Sequence, residues 1–174
     1  QAEELTVKPE EPPIPVPPRP MSKSEQGIIV EGLDNCLVKF SRCCTPVPGD
    51  EIVGFITRGY GVSVHRADCP NAAPERRAGQ EGRWLRVTWG SDTNYSYPTT
   101  IDVVCKDRMH LILDISTALS STNTFVSGLN SRSTEDGFAV IRLEIRVRDG
   151  AQMKAIMNKL HQISGVLQVT RPAG

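Results

Sequence analysis

The clearest pattern along the chain is the strict alternation over residues 138–149. Ile141, Leu143, Ile145 and Val147 fall on one face, and Arg142, Glu144, Arg146 and Arg148 on the other. A period of two with one apolar face predicts an antiparallel strand buried on one side. Gly150 breaks the alternation, and residues 151–164 then place Met153, Ile156, Met157, Leu160 and Ile163 at helical spacing, ending at Gly165. Upstream, residues 97–106 are β-branched and strand-like, and residues 110–121 set Leu111, Ile112, Ile115 and Leu119 on one helical face. Residues 125–132 and 166–170 read as strands. The order β-α-β-β-α-β predicts a ferredoxin-like split βαβ domain with both helices on one face of the sheet.

Residues 27–90 have a different texture. Short apolar or β-branched runs at 27–31, 37–41, 51–57, 62–66 and 83–89 are separated by turn signals such as Leu33-Asp34-Asn35, Thr45-Pro46-Val47-Pro48-Gly49-Asp50 and Arg58-Gly59-Tyr60-Gly61. This predicts a small antiparallel β-rich module with a thin core, of the size that needs a metal or a neighbouring domain for support. The expected fold class is therefore α+β. The expected division is a linker over residues 1–26, the β module over 27–90 and the βαββαβ domain over 91–174. Residues 9–20 carry proline at a density that blocks helices and ladders, and predict a semi-rigid spacer.

Charge changes this picture little. The chain has 20 basic and 20 acidic residues, and no segment has the basic excess of a purely electrostatic nucleic-acid binder. No apolar run approaches the roughly 20 residues that span a bilayer. The acidic start Gln1-Ala2-Glu3-Glu4 lacks an initiator Met and an apolar signal core, and reads as cut from a longer protein. Five cysteines at irregular spacing without a secretory signal favour a reducing cytoplasm over a disulfide framework.

Cys43-Cys44 and His65-Arg66-Ala67-Asp68-Cys69 supply three thiols and one imidazole, the donor set of a structural zinc site. The C-x2-C half is missing, and adjacent strand residues point to opposite faces, so one ion can be shared only if the chain turns at Cys43-Cys44. The alternative is that the thiols are small buried apolar groups, with His65 exposed. A nucleophilic triad of Cys44, His65 and Asp68 can be drawn, but no oxyanion-hole motif accompanies it. Lys39, Arg42, Arg58, Tyr60, His65 and Arg66 cluster in or beside the module's loops, and could grip phosphates and stack a base in structured RNA. In the second domain, the loop Lys106-Asp107-Arg108-Met109-His110 precedes a helix whose N-terminus could receive a carboxylate, with Asp107 as N-cap. An exposed sheet edge there is a natural dimer surface.

These strings resemble a known family. Residues 27–35, 38–50 and 54–71, with the runs 42–50 (Arg42-Cys43-Cys44-Thr45-Pro46-Val47-Pro48-Gly49-Asp50) and 59–71 as the highly specific strings, are similar to the conserved-cysteine (zinc-finger) module of the long Rel-type enzymes, the RelA/SpoT homologues. Residues 97–174, including Tyr97-Pro98, Asp107-Arg108 and the run 163–169, resemble the ACT domain that closes those proteins. The resemblance implies synthetase and hydrolase domains upstream that make and degrade (p)ppGpp, and no catalysis by this region itself. It implies that Cys43, Cys44, His65 and Cys69 are the motif residues, and that Lys39, Arg58 and Arg66 are candidate contacts to ribosomal RNA on a ribosome holding uncharged tRNA. It also implies an ACT domain that regulates, dimerises and, in many relatives, binds an amino acid; here the ligand loop would be Asp107, Arg108, Met109 and His110. Met109-His110 stands where ligand-binding ACT domains carry glycine, which weakens the amino-acid expectation, and Cys36 replaces an aliphatic core residue.

Two functional classes follow. The first is the regulatory, ribosome-docking region of a Rel-type enzyme; the second is an amino-acid-binding ACT module of a metabolic enzyme, which would explain only residues 97–174. The cysteine/histidine string favours the first. A redox-sensing thiol protein would rest on Cys43-Cys44 alone.

Overall fold

The computed structural model describes residues 21–23, 26–33, 36–59, 61–90 and 94–173. The spacer at 9–20 and Tyr60 lie outside the described residues.

The C-terminal domain follows the hydrophobic pattern closely. Strand β8 (Tyr97–Lys106), helix α2 (Leu111–Ser121), strands β9 (Phe125–Ser133) and β10 (Phe138–Val147), helix α3 (Gly150–His161) and strand β11 (Val166–Thr170) form a sheet of order β11-β8-β10-β9. All its pairings are antiparallel, and β8 and β10 align over their full lengths from Tyr97↔Val147 to Lys106↔Phe138. The alternating residues Ile141, Leu143, Ile145 and Val147 are fully buried against Ile101, Val103, Ile115, Ile156 and Leu160. Helix α3 is capped as its sequence dictates, the Asp149 carboxylate accepting from the Gln152 N–H at 2.7 Å. Two details differ from expectation. Ile112 is 40% exposed and Ala118 takes its place in the core. Helix α2 starts at Leu111 with His110 as N-cap in the left-handed region (φ 64), so Asp107 does not cap it; Asp107 instead accepts a hydrogen bond from Ser133 Oγ.

The N-terminal module is β-rich but mixed. Strands β1 (Met21–Lys23), β2 (Ile28–Glu31) and β7 (Val87–Trp89) make one antiparallel sheet. Strands β3 (Leu37–Phe40), β5 (Gly61–Arg66), β4 (Ile52–Ile56) and β6 (Trp84–Leu85) make another, in that order. Within it β3 and β5 run parallel. The parallel pair arises because the turns at 41–50 carry the chain across to β4, and β4 then folds back as an antiparallel hairpin onto β5. The polar stretch before β6 winds into short turns, including the single helical turn α1 (Pro74–Arg77). Cys36 packs against the module's small core of Ile28, Val30, Val38, Val62, Val64 and Val87.

The two units share packed surface. Val47, from the β module's loop, is 1% exposed and belongs to the core of the C-terminal domain. Tyr97 sits edge-on to Phe40, Trp89 and Tyr95, with ring centroids 5.4, 5.3 and 4.8 Å away. Such edge contacts add about 0.5–1.5 kcal/mol each beyond the area they bury. The Tyr97 hydroxyl donates to the Gln26 carbonyl at 2.7 Å. Gly150 lies so close to the loop that a Cβ there would stand 2.7 Å from the Pro48 carbonyl oxygen.

Candidate functional site

Strand β3 ends at Phe40, so Cys43 and Cys44 do not lie on a strand. The Thr45 N–H closes a turn onto the Ser41 carbonyl at 2.9 Å, and Thr45 itself takes φ 42, rare for a β-branched residue. This turn removes the geometric objection to adjacent cysteines and lets both thiols face the end of β5. There His65 comes off the strand, and Cys69 follows in the turn before Pro70.

The four donor atoms of Cys43, Cys44, His65 and Cys69 all lie within 4.8 Å of one another. Cys43 Sγ stands 3.4 Å from His65 Nδ1, 3.6 Å from Cys69 Sγ and 3.9 Å from Cys44 Sγ; Cys44 Sγ is 3.8 Å from the same imidazole nitrogen. Cys44 and Cys69 are buried, while Cys43 and His65 are half-buried. The arrangement can hold a metal ion. The alternative with an exposed His65 is not what the structure has: its ring packs 6.1 Å from that of Trp84, and burial lowers its pKa from the usual 6.5. It is therefore neutral near pH 7, with one ring nitrogen's lone pair available for coordination. Burial pushes the Cys44 thiol well above its usual range; the Arg66 N–H on its sulfur opposes this, and neighbouring Cys43 and Cys69 reinforce it.

The Cys44–His65–Asp68 triad is not assembled. The Asp68 carboxylate is taken by the Arg66 guanidinium at 3.0 and 2.6 Å and is largely exposed.

Among the basic candidates the structure separates two groups. Lys39 and Arg42, both exposed, line a cleft of about 700 Å³ with Ser41, Ser63, His65 and Tyr95. Arg58 projects from the β4–β5 hairpin loop, at the far end of these strands from His65. Arg66 is only 12% exposed and is held by Asp68. Tyr95 was not legible as a site residue, because it comes from the segment joining the two domains and reaches the cleft only through the shared packing.

In the second domain, Arg108 donates to the carbonyls of Ser164 and Met109 and pairs with Asp114 at 2.6 Å. Met109 is 81% exposed. The loop 107–110 is thus tied into its own domain, with Asp107 held by Ser133.

Comparison with known proteins decides the family. The model of the RelA/SpoT RIS domain matches residues 28–90, and that of the ACT domain matches residues 93–171. The chain belongs to the RelA/SpoT family. It is 39% identical over 158 residues to the GTP pyrophosphokinase of Escherichia coli, covering 90% of this chain and 21% of that protein. It is 35% identical over 159 residues to the bifunctional (p)ppGpp synthase/hydrolase RelA of Mycobacterium tuberculosis, covering 91% and 21%. The chain therefore spans about a fifth of the length of these relatives, and corresponds to their C-terminal RIS–ACT regions. The ACT domain from the GTP pyrophosphokinase of Chlorobium tepidum superposes with a TM-score of 0.41 at 23% identity, covering 44% of this chain and 99% of that one. Among the described residues, no helix is long and apolar enough to cross a membrane.

Proposed function

We propose that this RIS–ACT region is the non-catalytic regulatory part of a cytoplasmic enzyme that synthesises or hydrolyses (p)ppGpp. In this reading the RIS module docks on ribosomal RNA when uncharged tRNA is present, and passes the docked state to the ACT domain. The observation that carries it is the shared packing of the two units: the turn that holds Cys43 and Cys44 continues directly into Val47, which is buried in the ACT core. A contact made at the RIS cleft is then felt across a common core.

Zinc fits the cysteine/histidine cluster. With Zn–S bonds of about 2.3 Å and Zn–N bonds of about 2.0 Å, tetrahedral ligand atoms stand roughly 3.5–3.8 Å apart; Cys43 lies 3.4–3.9 Å from the other three donors and Cys44 3.8 Å from His65, and all four lie within 4.8 Å of one another. Cys43, Cys44 and Cys69 would bind as thiolates and His65 through Nδ1. The ion would be structural, with four protein ligands and no open position. Its binding energy would stabilise a module whose own core is small.

Lys39 and Arg42 are the favoured phosphate contacts, with Tyr95 and His65 beside them to stack or hydrogen-bond. Tyr60, Arg58 and Arg66 are secondary candidates, Arg66 because a phosphate would have to displace Asp68. An amino-acid effector at Asp107–His110 would likewise have to free Arg108 from Ser164 and Asp114, which favours the docking reading over the amino-acid-sensor alternative. Self-association is supported by a separate feature: β9 is the outer strand of its sheet and exposes Phe125, Val126 and Leu129.

The direct test uses the purified chain. It should pellet with ribosomes while leaving ATP, GTP and ppGpp unchanged. Conversion of any of these nucleotides, or failure to pellet under low-salt conditions, overturns the proposal.

A further inference from the structure

Beyond docking and metal binding, the thiol geometry carries a chemical consequence. We infer that Cys43 and Cys69 form a peroxide-sensitive pair that closes to an intramolecular disulfide, with Cys43 as the attacking sulfur.

Access selects the attacker. Cys44 and Cys69 are 0% and 1% exposed, whereas Cys43 is only half-buried, so a small oxidant reaches Cys43 first. Distance and ring strain select its partner. Cys69 Sγ lies 3.6 Å away and Cys44 Sγ 3.9 Å away. A bridge between adjacent cysteines would close an eight-membered ring through their peptide bond, which resists leaving the planar trans form. Cys43 and Cys69 are separated by 26 residues and carry no such constraint. Both also sit in turns outside the strands, where rotation about the side-chain bonds can bring the sulfurs to the roughly 2.05 Å of a disulfide. The remaining thiols do not compete: Cys36 packs in the other core of the module and Cys105 is buried in the ACT core.

The chemistry balances with hydrogen peroxide as oxidant. The Cys43 thiolate attacks one peroxide oxygen; the S–O bond forms, the O–O bond breaks, and hydroxide leaves, giving a sulfenic acid. The Cys69 thiolate then attacks the Cys43 sulfur, the S–S bond forms and a second hydroxide leaves. The two protons released by the thiols convert both hydroxides to water. The pair loses two electrons and the peroxide gains them. Two of the four donors are thereby withdrawn from any bound metal, and Cys44 and His65 alone make a poor site.

The test is disulfide mapping of the full chain after a brief exposure to hydrogen peroxide, in zinc-loaded and chelator-stripped samples. Trypsin places Cys43 and Cys44 in one peptide (residues 43–58) and Cys69 in another (67–76), and fragmentation of the linked pair identifies the bonded sulfur. The expected result is a linked Cys43–Cys69 species that thiol reductant reverses, with release of zinc in step with linkage in the loaded sample. In Cys69→Ser, Cys43 should accumulate as sulfenic or sulfinic acid. Linkage in the stripped sample supports the pair whether or not the loaded sample holds zinc. Cys43 and Cys69 that stay free to alkylation, or a bond that joins Cys44, Cys36 or a second chain instead, overturns it.

Discussion

Arg171 grips Asp50 across 121 residues of sequence. Its Nη1 and Nη2 donate to the two carboxylate oxygens at 2.7 and 2.9 Å, and Nη2 donates as well to the Thr45 carbonyl at 2.9 Å. The side chains are 12% and 18% exposed. Two residues further on, Ala173 packs against the cluster of Cys44, Cys69 and Ala72. The chain's last described residues thus return from the ACT domain to close over the cysteine turn.

Replacing Arg171 with Ala leaves Asp50 buried and short of partners. Breaking a buried pair from one side costs about 3 kcal/mol or more, so Arg171→Ala should lower the unfolding free energy by roughly that amount. Asp50→Ala should cost at least as much, because Asp50 also accepts the Val47 N–H at 2.8 Å. Denaturant titration of the two single variants and the double variant should show strong coupling; simple additivity would separate the two residues.

Gly150→Ala tests the seam from the other side. The residue begins α3, where alanine is favoured by helix propensity, yet the added Cβ would press on the Pro48 carbonyl. Overpacking of this kind costs about 1–3 kcal/mol, so the variant should be destabilised despite its better propensity. Hydrogen exchange should quicken in residues 45–50 in particular. A stabilised variant would show that the loop yields freely.

Removing metal should loosen the RIS module far more than the ACT sheet. Chelation of a zinc-loaded sample should raise hydrogen exchange over residues 36–89 and at 171–173, with little change in β8 and β10. Equal protection with and without zinc would leave the thiols as packing groups only.

The stripped protein should also have a stability plateau bounded by two donors. Burial lowers the His65 pKa below its ordinary 6.5. Below that value the unfolded state takes a proton that the folded state refuses, so stability falls as pH drops under 6.5. Burial raises the Cys44 thiol above its ordinary 9.0. Above that value the unfolded state ionises first, and stability falls as pH rises past 9. Urea midpoints measured from pH 5 to 10 should trace this plateau, and His65→Gln should flatten its acid limb.

The ACT domain was legible because its chemistry is local: alternation in β10 and helical spacing in α3 fix both which residues are buried and which elements neighbour each other. The four metal-capable residues were legible by type, but their convergence was not. It depends on a turn at Thr45 in a backbone conformation that a β-branched residue seldom adopts. The parallel pairing of β3 with β5, the Arg171–Asp50 bridge and the placement of Tyr95 in the RIS cleft were not readable either. Each joins residues far apart in sequence, and no short-range periodicity encodes such partners. Arg66 reads as a free cation in the sequence for the same reason that Asp68 reads as a triad member: the two pair with each other only once the turn after β5 is formed.

The most direct test of RNA docking is the salt dependence of ribosome association for the full-length parent enzyme. On duplex nucleic acid, the slope of log affinity against log salt falls by about 0.9 for each phosphate that the protein no longer neutralises. Lys39→Ala with Arg42→Ala should weaken binding and lower that slope by about two units, while Arg58→Ala with Arg66→Ala should have the smaller effect. A Lys39/Arg42 double variant that binds ribosomes as tightly as the parent, with an unchanged slope, would contradict the account.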